Sequence, residues 1–426
     1  MRSSKPYFLI VLYLFLSFFL LSIRNGSFEI LPVIYAAVVS LSIGVVLVFM
    51  KRFRWGDGYL FLITSMISSI GIVFLYRLDP QIGQRQILWF GAGILAFFLG
   101  YLVFVIGYRL WSHPKMLLVY PLVSFTFFVM TLTMGERIGG AINWIVINGI
   151  QVQPWEGIKL LFVFFMASYY AHQQFYSPLS VPLGKKGIQI PHKLLFMGGV
   201  YLHLLFLVLQ REWGGSILFF LVFIAMMYVF DGNKKHLLAN ALAAAAGGTG
   251  GYLLLSHIQV RVATWLDPWR DMDGTGYQIT QSLFALGSGG FFGTGLGLGR
   301  PHLIPAVHTD FIFSAITEEM GIFGGVGIIL LYFILVYRGF KLVIRMQEPF
   351  LRAVAFGITS IFGFQTFIII GGVIKLIPLT GITLPFVSYG GSSLISSFLA
   401  LGILQGISAT GISFFPTGEQ GGDEVE

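Results

Sequence analysis

VRVATWLDPWRDMDGTGYQITQSLFALGSGGFFGTGLGLGRPHLIPAVHTDFIFSAITEEMGIFGG, residues 260–325, is the longest interval of this chain not dominated by apolar residues. Up to residue 300 it gathers three aspartates (Asp267, Asp271, Asp273), three arginines (Arg261, Arg270, Arg300) and a glycine-rich turn system, Gly293 to Gly299. Outward from it, the chain is written for lipid: 56% of its 426 residues are hydrophobic, 16% aromatic and only 10% charged, and the mean hydropathy is +0.84. Such a composition belongs to a polytopic membrane protein. Any chemistry is expected on the polar interval. The net charge of +8 does not indicate nucleic-acid binding, because the cations are scattered over short loops instead of gathered on one face. The absence of cysteine excludes a disulfide framework and a thiolate metal site.

Runs of roughly 20 apolar residues mark spanning helices, and twelve are expected: about 6–23, 29–50, 59–77, 86–108, 115–134, 155–173, 194–210, 214–231, 236–257, 310–337, 350–376 and 388–412. The first, within Met1 to Arg24, lacks a small-residue cleavage site and reads as a retained helix. With the N-terminus in the cytoplasm, the larger share of the 26 Lys and Arg residues falls inside, including Lys51, Arg52, Arg54, Lys185, Lys186, Lys193, Lys234, Lys235, Arg338 and Lys341. The positive-inside rule therefore puts both termini in the cytoplasm and the 258–309 loop outside. The fold expected is all-α, with about twelve transmembrane helices, a long extracytoplasmic loop and an outward-facing cavity. An acidic, glycine-rich end, residues 413–426, reads as a short disordered cytoplasmic tail.

Two further outer segments are not plain loops. Residues 136–154, ERIGGAINWIVINGIQVQP, are too polar and short to span and suggest an interfacial or re-entrant piece. Residues 375–393, KLIPLTGITLPFVSYGGSS, hold two prolines and a Tyr-Gly-Gly break; irregular backbone at membrane depth needs protein or a water-filled cavity to satisfy it. Ionisable groups inside spans are functional candidates because their burial is costly. Glu318 and Glu319 lie two turns into their helix. Glu156 and Lys159 share one helix face at i, i+3, close enough for a buried ion pair that holds a cavity wall.

These segments resemble, in order, the signatures of the SEDS family (shape, elongation, division and sporulation) of bacterial cell-wall proteins. DPWRDMDGTGYQITQSLFALGSGG is similar to the family's large outer loop, HTDFIFSAITEEMGIFG to the start of the next helix, and PLTGITLPFVSYGGSSL to its C-terminal signature. GGAINWIVINGIQVQPWEGIKL resembles a block that usually carries Arg where this chain has Asn143, and QREWGGSILFF resembles an outer turn whose charge pattern Arg211 and Glu212 keep. The resemblance spans about 59–412, a ten-helix core, leaves 1–58 as two accessory helices, and points to a RodA-like branch.

The resemblance implies a peptidoglycan glycosyltransferase that polymerises lipid II, the undecaprenyl-pyrophosphate-linked precursor, at the outer face of the bacterial cytoplasmic membrane. It implies a class B penicillin-binding protein as transpeptidase partner within an elongation or division complex; the lipid-facing aromatic sides of the tenth and eleventh spans are candidates for that contact. Motif register puts the family's catalytic aspartate on Asp271. Met272 replaces the proline expected next, which removes a constraint on the local backbone, and Asp273 competes for the role. The alternative for Asp267 is a turn cap before Pro268, and for Arg270 a surface ion pair with Asp271. The leaving pyrophosphate calls for Arg and Lys or a divalent cation such as Mg or Mn with oxygen ligands. Arg300 is one candidate against interfacial snorkelling, and Arg137 or Lys375 would replace the missing arginine. His308 and Asp310 suit a metal pair, whereas Thr309-Asp310 also reads as the N-cap of the next helix. The glycine run, with no preceding strand and no lysine in place, is not a nucleotide loop; it reads as a turn folded tightly over the cavity. A flippase, a non-catalytic scaffold and a polymerase of another lipid-linked sugar are the competing functions.

Overall fold

The computed structural model describes residues 4–23, 26–147, 149–176, 179–181 and 188–413. Lys185, Lys186 and the expected disordered tail from residue 414 onward lie outside the described residues. Polar residues between apolar runs act as helix starts. Asp57 accepts from Tyr59 N to open α3 (Gly58–Leu78), after α1 (Ser4–Ser22) and α2 (Ile30–Arg52). Asp79 accepts from Gln81 N, with Pro80 in the first turn, to open α4 (Pro80–Trp111). Each cap satisfies an otherwise unbonded N–H. Then follow α5 (Met116–Met134), α6 (Pro154–His172), α7 (His192–Leu209), α8 (Trp213–Phe230) and α9 (Lys234–Leu254). After the polar interval come α12 (Ile312–Arg345), α13 (Pro349–Val373) and α14 (Gly391–Ser413).

Among the described residues eleven helices are long and apolar enough to cross a membrane. The expected span at 155–173 is α6, a 19-residue helix that is not among the eleven. Glu156 and Lys159 lower its apolarity, and it tolerates them because it lies inside the bundle, with both side chains buried. Burial separates centre from rim: 83% of the apolar window is buried in α3 and in α13, against 6% in α9. Polar side chains gathered on the central helices are therefore shielded from lipid, whereas α9 is clad in it.

The all-α expectation is corrected in two places. Residues 136–152 form a three-stranded antiparallel meander, β1 (Glu136–Ile138), β2 (Ala141–Ile147) and β3 (Ile150–Val152). Its turns use Gly139, Gly140 and Gly149 at positive φ, which only glycine adopts freely. A short hairpin, β4 (Leu179–Val181) with β5 (Ile188–Ile190), joins α6 to α7. The long loop is also folded, into α10 (Ser256–Leu266), a 3-10 turn at Pro268–Asp271 and α11 (Tyr277–Gly289). The meander, α10, α11 and the irregular 374–390 segment share one end of the bundle, the loop face. Ile142 N donates to Gln210 O, Arg261 Nη1 to Leu379 O, and Tyr389 N to His308 O. The opposite end is clasped by Arg338, which forks onto both Asp57 oxygens at 2.8 and 2.9 Å.

Candidate active site on the loop face

Asp271 closes the 3-10 turn that follows α10. Asp267 starts that turn by accepting from Trp269 N at 3.2 Å, so the capping role expected for it holds. Asp271 O receives Gly274 N and Gly276 N, and Asp271 Oδ2 accepts from Thr275 N at 2.7 Å and Thr275 Oγ1 at 2.9 Å. These bonds to the ionised form hold its carboxyl below the usual range, the Thr275 N–H first and the hydroxyl second. A Cβ on Gly276 would lie 2.1 Å from Pro268 O, so the turn closes only around glycine. Met272 adopts φ −67°, the value a proline ring would impose; the hydrogen bonds around Asp271 supply the constraint that the missing proline would have. Asp271 and Asp273 are both exposed. Arg270 makes no ion pair with Asp271 among the described residues.

The glycine run does not fold over a cavity. It docks onto a break in α12 at Gly321, φ 70° and ψ −175°. Thr294 N and Gly295 N donate to the carbonyls of Glu318 and Glu319, and Ile322 N to Gly290 O. The side chains act in the same contact: Glu319 Oε2 accepts from Gly297 N at 3.0 Å and Glu318 Oε1 from Arg300 N at 2.7 Å. Arg77 of α3 completes it, 2.6 Å from Glu319 Oε1 and donating to Gly299 O at 2.8 Å. Glu318 and Glu319 are thus anchors of the loop. Arg300 offers its backbone to Glu318, and its side chain is exposed on the loop face. Arg77 carries its own sequence signal, since a lone cation ending an apolar span points to a buried partner.

Inside the bundle, Lys159 Nζ meets Glu156 Oε2 at 2.5 Å with both side chains 1% exposed. Gln365 Oε1 accepts from the same ammonium at 3.3 Å, and Ser396 Oγ donates to Glu156 Oε2 at 2.8 Å. The expected pair therefore belongs to a network across α6, α13 and α14. Nearer the loop face, Glu212 is buried at the start of α8 and takes its hydrogen bond from Asn143 Nδ2 of β2. The asparagine thus pairs with the acidic residue of the outer turn. Burial pushes the Glu212 carboxyl up to about 7 and that of Asp310 up to about 6. Arg261 acts on both carboxylates while its guanidinium holds Leu379 O and Thr380 O at 2.9 and 3.0 Å.

One expectation for this region fails. Asp310 is not the cap of α12: Phe311 holds that position without a side-chain bond, and Thr309 turns back to Ala306 O, where Ala306 has φ 54°. His308 and Asp310 belong to no group of three or more converging His, Cys, Asp or Glu among the described residues. His308 instead lies edge-on to Tyr389, 6.1 Å between ring centroids. Lys375 Nζ donates to Leu266 O at 3.3 Å and its carbonyl receives Trp265 Nε1, stapling α10 to the irregular segment. Arg137 is exposed on β1, and Arg211 is exposed with φ 62° in the turn before Glu212. Arg211, Ala306, Lys375 and Phe386 all have positive φ on this face, against Arg54 alone elsewhere among the described non-glycine residues. Such strain concentrates where a site over-determines its backbone.

The FtsW/RodA/SpoVE family model, described as a cell cycle protein, matches residues 57–411. Peptidoglycan glycosyltransferase RodA of Mycobacterium tuberculosis (H37Rv) is 34% identical over 371 residues, covering 84% of this chain and 79% of the relative. Stage V sporulation protein E of Bacillus subtilis is 33% identical over 369 residues, 83% of this chain and 96% of the relative. A chain of a solved peptidoglycan synthase complex that coordinates polymerization and crosslinking superposes with a TM-score of 0.68 at 27% identity, covering 84% and 98%. The rod shape determining protein RodA of Thermus thermophilus gives 0.60 at 26% identity, covering 83% and 96%. With a family model over most of its length and relatives above 30% identity, this chain belongs to the FtsW/RodA/SpoVE family.

Proposed function

We propose that the protein is an inverting peptidoglycan glycosyltransferase that extends glycan strands from lipid II at the outer face of the bacterial cytoplasmic membrane, with both termini in the cytoplasm. The observation that carries this reading is Asp271, an exposed carboxylate kept ionised by Thr275 and presented by a glycine-locked turn at the loop face. In the step assigned to it, the acceptor's sugar 4-hydroxyl attacks the donor's anomeric carbon as Asp271 takes the hydroxyl proton. The carbon–oxygen bond to the pyrophosphate breaks, and undecaprenyl pyrophosphate leaves with the electron pair. No acid is required, since the pyrophosphate leaves as a stabilised anion. Arg261, Arg300 and Arg137 are the cations of this face assigned to the leaving group. A bound divalent cation, Mg or Mn, would supply further charge neutralisation at the leaving group.

A groove of about 380 Å³ beside α10 suits the lipid tail. Trp213, Ile217, Leu221, Phe367, Ile377 and Arg261 are among the residues that line it. The transpeptidase partner, a class B penicillin-binding protein of an elongation or division complex, is assigned to the tenth and eleventh spans. There a groove of about 370 Å³ between α12 and α13 is lined by Ile329, Tyr332, Phe333, Gly363 and Phe367. The test is polymerisation of purified lipid II with divalent cation and partner, comparing the intact protein with Asp271→Ala and Asp273→Ala. Strand formation lost only with Asp271→Ala supports both enzyme and base. Equal activity in all three, or lipid translocation without polymerisation, overturns the reading.

A further inference from the structure

The polar interior between Glu212 and the loop face is short of partners. Asn143 Oδ1, Trp155 Nε1, Glu156 Oε1 and Thr380 Oγ1 are all buried with no hydrogen-bond partner within the protein, and all four residues are at least nine-tenths buried. Close packing at three glycines places Trp155, Glu212, Thr380 and Asp310 on neighbouring segments. A Cβ on Gly215 would touch Glu212 Cγ at 3.2 Å and Trp155 Cε3 at 3.3 Å; one on Gly214 would meet Thr380 Cβ at 3.1 Å; one on Gly381 would lie 3.5 Å from Asp310 Oδ2. Glu212, Asn143, Thr380 and Asp310 therefore line adjoining walls. Neither carboxylate has an ion-pair partner among the described residues. The guanidinium of Arg261 is committed to two carbonyls.

A buried carboxylate, a half-buried one and two orphaned neutral oxygens on adjoining walls call for a positive charge and for donors that the protein does not supply. A buried negative charge demands a counter-charge, and an unpaired buried oxygen demands a donor or a cation. We infer that Glu212 and Asp310, with Asn143 Oδ1 and Thr380 Oγ1, hold one hydrated divalent cation beneath the loop face, bound directly or through its waters. The donor set is all oxygen, which selects Mg or Mn over softer metals. Two carboxylates suffice, because magnesium keeps several waters and uses one or two carboxylates. Those waters also supply an acceptor for Trp155 Nε1. The half-buried Asp310 lies toward the loop face, where an ion enters. The site adjoins the carbonyls held by Arg261, so cation and guanidinium form one positive pole for a pyrophosphate. The inference locates a cation within the polymerase reading and rests on it for that last step alone.

The experiment is Mn²⁺ titration of the purified full chain in lipid nanodiscs, read by electron paramagnetic resonance. One saturable Mn²⁺ per chain, displaced by Mg²⁺, is expected. Glu212→Gln and Asp310→Asn weaken it at least tenfold, Thr380→Val weakens it measurably, and Asp271→Asn leaves it unchanged. Undiminished binding in Asp310→Asn, loss in Asp271→Asn, or no saturable binding overturns the site. If Glu212→Gln does not fold, Asp310→Asn and Thr380→Val decide the matter. A chain that binds Mn²⁺ here yet never polymerises lipid II refutes the polymerase reading and keeps the site. A polymerase whose Asp310→Asn form binds Mn²⁺ normally refutes the site alone.

Discussion

Lys159→Met should be among the most destabilising single changes in this chain, and pairing it with Glu156→Gln should undo most of the damage. Lys159 Nζ touches Glu156 Oε2 at 2.5 Å with each side chain 1% exposed. Without the ammonium, Glu156 keeps only Ser396 Oγ, at 2.8 Å, while its other oxygen already has no partner. Leaving one member of a buried ion pair costs about 3–5 kcal/mol, whereas replacing both by neutral groups is often close to neutral. The reverse single variant, Glu156→Gln, strands an ammonium that retains Gln365 Oε1 at 3.3 Å, and it should cost slightly less. The assay is a double-mutant cycle of unfolding in mixed micelles, with polymerisation per folded protein measured alongside. A coupling of about 3 kcal/mol is expected, with polymerisation following stability. Single costs that simply add would refute the buried-pair argument. A double variant with restored stability and no activity would move the pair from wall to chemistry.

The break in α12 tests the glycine loop. Gly321→Ala forces a side chain at φ 70° and ψ −175° to within 2.3 Å of Phe291 O, and should cost about 2 kcal/mol or more in thermal unfolding; Gly327→Ala, with nothing within 4 Å, should be neutral or slightly stabilising. Equal effects at the two positions would refute the docking of the loop on the break. Glu212 predicts a pH dependence. Its pKa rises from 4.5 to about 7 on folding, so its carboxyl is protonated in both states below 4.5 and favours the unfolded chain once ionised. In chelator, stability should therefore fall as pH rises from about 4.5 to 7, by on the order of 3 kcal/mol. Glu212→Gln should flatten that slope, and Mg²⁺ should restore the stability lost; an unchanged slope in Glu212→Gln would sink the assignment.

Hydropathy made the bundle legible because lipid imposes one rule on every span, and breaking it requires shelter. The one helix that broke it, α6, carries Glu156 and Lys159 where neighbours hide them, and their i, i+3 spacing revealed the pair. The register of DPWRDMDGTGY located the Asp271 turn because the glycines that close it are local. What stayed hidden depends on contacts across long stretches of chain. Arg77 meets Glu319 and Gly299 more than two hundred residues away, and Asn143 finds Glu212 across α6 and α7. No local pattern encodes such pairings. Thr309-Asp310 misled for the opposite reason: the local cap signal is present, but the left-handed Ala306 turns Thr309 back on its own loop.

The carboxylates of the loop face fall into two environments, and on the proposed reading that division makes chemical sense. Asp271 is exposed and hydrogen-bonded in its charged form, with a lowered pKa; Glu212 and Asp310 are shielded, with raised values of about 7 and 6. Groups pushed apart in this way take different roles. An ionised, exposed Asp271 is available as proton acceptor at any physiological pH, yet it is a weak base until a substrate displaces its water, which favours the neutral carboxyl. The buried pair has the opposite need, a positive charge to pay for its ionisation. Arg261 lies between these demands, bridging α10 to the irregular 379–380 backbone above the buried pair. A substrate that is anionic at its pyrophosphate and neutral at its sugar hydroxyl matches both environments at once. The phosphate end belongs over Arg261 and the buried carboxylates' cation, and the hydroxyl belongs at Asp271. On the same reading the apolar groove beside α10, which Arg261 helps to line, is the side from which a lipid-linked pyrophosphate enters with its tail still in the membrane.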